Sequence, residues 1–355
     1  MVNWNSRALR VVGLTAAALA ILLGSLAARV GRAYPGFFVA PDFRVFPAEP
    51  GVPLQWGDRI VSVDGGSPTT LEARIAASTT PVRYEIERGG QRATYEIAPR
   101  PFTWSLLLSH FGIFLAISVT MLTVGVAVFA QNPRARPNRY FLIYMCLWAL
   151  SNVAVPESVL ASSRVAACLV GFISIVLSVH GWVFFLTYPV NPPREAWLER
   201  HQIIPRLYAG ALVLGSLAAL AFVALITVAP ELLVDGWVYP ASVATLFTLA
   251  TISFPIKIAA LLDTRRRAGS PLVNQQTTVL LLGIGLGLGG WLAFMLAPLS
   301  QIYRGPFDPQ WGSALVLLYP LAIAYATVRY RLFDATVVSA MKARAASEPR
   351  TSAPA

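Results

Sequence analysis

Only three histidines, His110, His180 and His201, occur in this chain of 355 residues, so any chemistry that needs an imidazole must use one of them. No His-Glu-x-x-His pair is present, and a zinc protease would lack its two ligands at helical spacing. A serine nucleophile needs a base in reach. Ser109 precedes His110, but sequence neighbours on a helix point to different faces, and no Gly-x-Ser-x-Gly turn exists. No Gly-rich phosphate loop ending in Lys-Ser/Thr occurs. The two cysteines, Cys146 and Cys168, lie inside apolar runs and read as small buried hydrophobes rather than as metal or redox groups. No catalytic residue, metal ligand or cofactor is expected, and the enzyme class most worth testing, an intramembrane protease, lacks its signature.

The elements that carry these residues are unusual for a soluble enzyme. The chain is 56% apolar and 13% charged, against about 45–50% and about 25% for a soluble protein, and its mean hydropathy is +0.60. Apolar runs at Val11–Ala28, Trp104–Ala130, Tyr140–Val155, Val165–Tyr188, Tyr208–Val228, Trp237–Leu262, Thr278–Leu299 and Trp311–Val328 approach the roughly 20 residues that cross a bilayer. The first is read as an uncleaved anchor rather than a signal peptide. The Tyr140 run is expected to start at Asn138 and to pass Pro156. Between the first two runs, Arg59-Ile-Val-Ser-Val-Asp64 and Arg83-Tyr-Glu-Ile-Glu87 alternate with period two between Gly and Pro clusters, the pattern of β-strands, and Glu72–Ala77 suits one short helix. The expected fold is a polytopic α-helical membrane protein with eight transmembrane helices, one plus seven, and a small extracytoplasmic α+β domain. Its parts are an N-terminal helix (1–32), the domain (33–100), seven helices (101–330) and a cytoplasmic tail (331–355).

The net charge of +11 belongs to membrane sidedness rather than to nucleic acid, whose binding needs a clustered soluble basic face. With the N-terminus inside, the inner segments hold Arg7, Arg10, Arg134, Arg136, Arg139, Arg194, Arg200, Arg206, Arg265, Arg266, Arg267, Arg329, Arg331, Lys342, Arg344 and Arg350, while the short outer loops hold only Arg164 and Arg304. This asymmetry follows the positive-inside rule. Both termini are therefore expected in the cytoplasm, with the domain periplasmic or extracellular. Trp104, Trp182, Tyr188, Trp237 and Trp311 near run ends suit an interfacial aromatic belt.

Ionisable groups within spans are functional candidates by default. Lys257, about one and a half turns from the inner end of its run, is expected to snorkel to the headgroups rather than to couple a substrate. Asp263, beside Arg265–Arg267, is expected to be solvated, and His110 to be a wetted interfacial group. His180 is the candidate intramembrane polar site, with a bond to a neighbouring helix as its expected role and a proton relay as the alternative. Gly283, Gly285, Gly287 and Gly289 repeat at i, i+4 and form a small-xxx-small surface for close helix packing. Pro255 and Pro320 are expected to kink their helices.

The segment Tyr34-Pro-Gly-Phe-Phe-Val39, Ala48-Glu-Pro-Gly51 and Leu54-Gln-Trp-Gly-Asp-Arg-Ile-Val-Ser-Val-Asp-Gly65 resembles a bacterial PDZ domain over roughly Tyr34–Ala98. Gly57 permits a sharp turn and Asp64-Gly65-Gly66 supplies the next one. The resemblance implies that a peptide C-terminus adds a strand beside Gly36, Phe37, Phe38 and Val39, its carboxylate held by backbone N–H groups. A purely structural β-module is the alternative.

The layout of one span, an external PDZ-like domain and seven spans resembles the sensor half of ComP-like, competence-type histidine kinases. His180-Gly-Trp-Val-Phe-Phe-Leu-Thr-Tyr-Pro189 and Tyr325-Ala-Thr-Val-Arg-Tyr-Arg-Leu-Phe-Asp334 carry that likeness. It stops at Asp334, and no histidine follows His201, so a complete kinase is not expected in this sequence. The resemblance implies a non-catalytic signal-input protein of the cell membrane, with a peptide or protein C-terminus or a hydrophobic signal as ligand and a cytoplasmic kinase as partner. The rival is a scaffold, or a degenerate relative of a membrane protease, that tethers substrates to another membrane enzyme.

Overall fold

The computed structural model describes residues 4–39, 43–45, 49, 51–55, 57–68, 71, 74–75, 78, 80–133, 135–160, 164–187, 192–228, 238–267, 271–296 and 312–330. Helix α1 (Trp4–Ala27) leads into five strands, β1 (Ala33–Tyr34), β2 (Arg59–Val63), β3 (Val82–Arg88), β4 (Gln91–Ile97) and β5 (Arg100–Pro101). Helices α2 (Trp104–Gln131), α3 (Arg136–Leu160), α4 (Arg164–Thr187), α5 (Pro192–Arg200), α6 (Ile203–Val228) and α7 (Val238–Arg267) follow. Next, α8 (Pro271–Leu282) passes through a π-helical segment, Gly283–Gly289, into α9 (Gly290–Leu296), and a 3-10 turn, Ser313–Leu317, opens α10 (Leu318–Tyr330).

Five helical stretches among the described residues are long and apolar enough to cross a membrane: Ala8–Ala27, Trp104–Gln131, Leu169–Thr187, Ile203–Ala221 and Pro271–Ala293. The protein is thus a polytopic helical membrane protein with a small sheet region. The other three runs read from the sequence are helical as well, within α3, α7 and the segment Ser313–Tyr330. The last of these, Ser313–Thr327, is apolar but short. Helix α3 does pass Pro156. Pro320 is the third residue of α10, just after the 3-10 turn Ser313–Leu317. Leu9, Leu14 and Ile21 on α1 and Leu212, Leu214, Leu217 and Leu220 on α6 are exposed, an apolar surface that lipid would cover.

Helices meet where small residues let backbones approach. A Cβ on Gly125 would stand 2.7 Å from Met145 Cβ, and one on Gly283 2.3 Å from Ala322 Cβ. Polar side chains tie the same interfaces: Ser118 Oγ lies 2.9 Å from the Ala149 carbonyl, and Asn138 Nδ2 donates to the Val128 carbonyl at 2.9 Å. Cys146 is a free, buried residue packed with Ala8 and Leu142 between α1 and α3. The side chain of Cys168 lies outside the described ones.

In the sheet region β2, β3 and β4 form an antiparallel meander. Gly89 and Gly90, with φ of 57° and 80°, make the two-residue hairpin turn whose positive φ glycine tolerates best. Alternation sends Val82, Tyr84 and Ile86 of β3 inward, onto a core with Phe37, Val39, Leu54, Ile60 and Val63. Isolated bridges Arg44↔Arg59 and Val39↔Val45 extend the pairing beyond β2. The turn before β2 follows the sequence reading, with Gly57 at φ +87°. Within Glu72–Ala77 only Arg74 and Ile75 are described, and both are helical.

Asp58 locks that turn. Arg88 Nε and Nη2 donate to its two carboxylate oxygens at 2.7 and 2.6 Å, the Gln55 N–H donates at 2.7 Å, and Arg88 also reaches the Pro53 carbonyl at 3.1 Å. Burial alone would raise the Asp58 carboxyl, but the Arg88 and Gln55 hydrogen bonds and the Arg88 charge outweigh it and hold it below its ordinary 3.8. A carboxyl depressed on folding contributes stability above its unfolded value and loses it as pH falls through the folded one. Asp58→Asn should therefore weaken the domain by about 2 kcal/mol at neutral pH, the scale of hydrogen bonds to a charged group. Hydrogen exchange of β2 and β3 amides in the full-length protein should show this, and the variant should lose the part of the wild-type decline that sets in below about pH 4.

Candidate functional site

Two places bring sequence candidates together. The first is the loop Gly36–Val39. Gly36 has φ +86° and a Cβ there would lie 3.0 Å from Val52 Cγ2, so only glycine fits. Its carbonyl accepts from the Glu49 N–H at 3.0 Å. The next two side chains part company. Phe37, 1% exposed, stands edge-on to Tyr84 at 5.2 Å in the β-core. Phe38, 4% exposed, packs instead on Tyr34, His110 and Phe111 at ring separations of 5.3, 5.0 and 5.1 Å. Those partners form a separate cluster with Leu26 of α1, Phe102 and Leu107 of α2. Val39 returns to the β-core.

The backbone reinforces this junction. The Gly31 N–H donates to the Phe102 carbonyl at 2.8 Å and the Phe102 N–H to the Arg32 carbonyl at 2.9 Å, while β1 pairs with β5. Thr103 caps α2, its Oγ1 accepting from the Leu106 N–H at 3.2 Å. The Tyr34 phenol is pushed well up by burial and by the Glu49 carboxylate, against the opposing pull of Arg100.

His110 and Ser109 do meet, contrary to the reading from helical faces. Ser109 Oγ lies 2.9 Å from His110 Nδ1, because the imidazole folds back along its own helix until Nδ1 is also 3.1 Å from the Leu106 carbonyl. Ser109 Oγ itself donates to that carbonyl at 3.2 Å. The ring is half-buried against Phe38 rather than fully wetted.

The second place is His180, buried among the helices at 3% exposure. Its Nε2 lies 2.8 Å from the Tyr140 carbonyl of α3, and its Nδ1 is bonded to the Tyr208 hydroxyl of α6. A carbonyl only accepts, so Nε2 carries a proton, while Nδ1 pairs with the Tyr208 hydroxyl. The ring thus joins three helices. Tyr144, one turn after Tyr140 on α3, stacks on His180 with ring centroids 6.3 Å apart and accepts from Lys257 Nζ at 3.1 Å.

Lys257 does not snorkel: it is 5% exposed and its ammonium turns inward over the rings of Tyr144 and Phe185 at 5.6 and 6.0 Å. Gly181 makes room, since a Cβ there would stand 3.0 Å from Tyr144 Cε2 and 3.3 Å from Lys257 Cε. Tyr319 of α10 completes the group, edge-on to Tyr144 at 6.1 Å. Sequence reasoning singled out His180 but missed Tyr144, Tyr208 and Tyr319. The available signal was Tyr140 and Tyr144 at i, i+4 in an apolar run, which places both on one helix face.

Trp182 is half-buried and Trp104 exposed. Among the described residues no group of three or more His, Cys, Asp or Glu is arranged to hold a metal ion. No protein-family model matches the chain, and no curated protein shows significant similarity to it.

The His180 geometry predicts an energetic link between α4 and α6. His180→Leu and Tyr208→Phe should each lower the unfolding temperature of the detergent-solubilised protein. A double-mutant cycle should return a coupling on the order of 1 kcal/mol, the scale of inter-helix hydrogen bonds in membranes.

Proposed function

We propose that the chain is a signal-input protein of the cell membrane, with eight spans, both termini in the cytoplasm and a PDZ-like domain outside it. A peptide or protein C-terminus, or another hydrophobic signal, docks beside Gly36–Val39, and the resulting shift passes through the helices to a cytoplasmic partner such as a kinase. The chain performs no catalysis in this reading. Residues 331–355, the proposed output segment, lie outside the described residues.

The observation that carries the proposal is the divided environment of the loop. Phe37 anchors it in the β-core and Phe38 in the cluster shared with α1 and α2, so a strand added beside the loop cannot move Phe38 without disturbing the start of α2. A β-module that merely decorates the bundle would need no such shared anchor. The PDZ assignment draws further support from the pairing order, with Val39 bridged to Val45 and Arg44 to β2, and from Gly36 at positive φ, a backbone conformation found in anion-binding nests. Eight spans and the stated sidedness draw on the distribution of arginines described above.

Full-length protein should bind peptides ending in Val, Leu or Phe with a free carboxylate, and lose at least tenfold in affinity when the peptides are amidated. Binding should change hydrogen exchange in the first turns of α2, and Phe38→Ala should retain binding while suppressing that change. Equal affinity for acid and amide would defeat the carboxylate mode. Binding without any response in α2 would defeat transmission.

A further inference from the structure

Among the described residues no carboxylate stands beside the Lys257 side chain, and its ammonium makes one hydrogen bond, to Tyr144. An ammonium has three donors, so two remain unused. Contact with the Tyr144 and Phe185 rings offsets only part of the cost of an unpaired charge in a low-dielectric interior.

Two further donors nearby are also idle. Ser253 shares a helix face with Lys257, one turn earlier, and its Oγ is buried without a partner. The Tyr319 hydroxyl lies toward Tyr144 but is enclosed with no hydrogen bond of ordinary geometry. Ser253 is 3% exposed and Tyr319 fully buried.

We propose that this cluster binds the carboxylate of an otherwise apolar molecule. One positive charge calls for one negative charge, and the two oxygens of a carboxylate match the free donors of Lys257 and Tyr319. The rings of Tyr144 and Phe185 make the surroundings of the ammonium apolar, which suits a molecule that is apolar apart from its carboxylate. Lys257 precedes Arg265 by eight residues, about 12 Å along a helix, so the group that meets it must enter the hydrocarbon depth. A bulk lipid headgroup stays at the interface, and a small hydrated anion would lose its water without recovering it from the rings. Helices α3, α4, α7 and α10 all contribute, and Gly181 is the residue that lets Tyr144 and Lys257 stand together. This site is separate from the Gly36–Val39 loop and does not depend on the role proposed for it.

The full-length protein in lipid nanodiscs provides the test, with dodecanoate as the probe and methyl dodecanoate and acetate as controls. Dodecanoate should raise the unfolding temperature in a saturable manner, and the ester and acetate should not. Lys257→Met, which removes the charge and nearly preserves the side-chain length, should abolish the rise, and Tyr319→Phe should weaken dodecanoate binding about tenfold. The proposal is overturned if dodecanoate has no effect on the wild type, if the ester acts as well as the acid, or if Lys257→Met responds like the wild type. Should Lys257→Met not fold, unchanged dodecanoate affinity in Tyr319→Phe overturns it equally. A response to acetate matching that to dodecanoate would show a site for small free anions and would reject the apolar ligand.

Discussion

Hydrocarbon does not drive apolar helices together, because a lipid tail is as good a neighbour as a leucine. The bundle must therefore be held by close backbone approach and by polar groups that have no alternative partner. Both devices converge on one set of residues. The π-helical run Gly283–Gly289 rests on α10 so closely that a Cβ on Gly287 would stand 2.9 Å from the Tyr319 backbone nitrogen. Tyr319 then meets Tyr144, Tyr144 meets both Lys257 and His180, and His180 ties in Tyr140 and Tyr208. A glycine repeat on one helix thus places a tyrosine that organises the polar interior of five others. The π-helical geometry fits this role, since such segments are frequent at functional sites.

The same economy governs the junction between sheet region and bundle. Strands β1 and β5 carry the chain out of α1 and into α2, and their pairing brings the two helix ends together at Phe102. Phe38 fills the space between them. Since Phe37 points the other way into the β-core, a two-residue stretch fastens two hydrophobic clusters to each other. Asp58 stiffens the opposite side of the β-core by holding the Leu54–Asp58 turn onto the end of β3.

Much of this was legible in the sequence. The alternation in Arg59–Asp64 and Arg83–Glu87 located β2 and β3, Gly57 marked the turn, and the glycine repeat marked a close helix contact. These features depend on local periodicity and on the special freedom of glycine, and both are written in consecutive residues. Lys257 was misread for the opposite reason. Snorkelling was argued from its distance to the end of its own helix, but the direction of the side chain is set by Tyr144 and Phe185, which belong to other helices. The Ser109–His110 contact was missed because a rule about Cβ directions does not limit where an imidazole folds back along its helix. His180 was recognised as polar and buried, yet its two partners lie 40 and 28 residues away in sequence, beyond any local pattern. The three further runs read as spans are helical as well.

The proposed signalling role requires the sheet region to lie outside the cytoplasm and the chain to cross the bilayer eight times, which would put the loop and the tail on opposite sides of the membrane. Fusions to a reporter enzyme active only outside the cytoplasm test this directly. Placed after Arg88, Glu157, Asp235 and Asp308, the reporter should be active, and after Arg136 and Arg266 it should be silent. Activity after Arg136 or Arg266, or silence after Arg88, would contradict the arrangement on which the proposed signalling role depends.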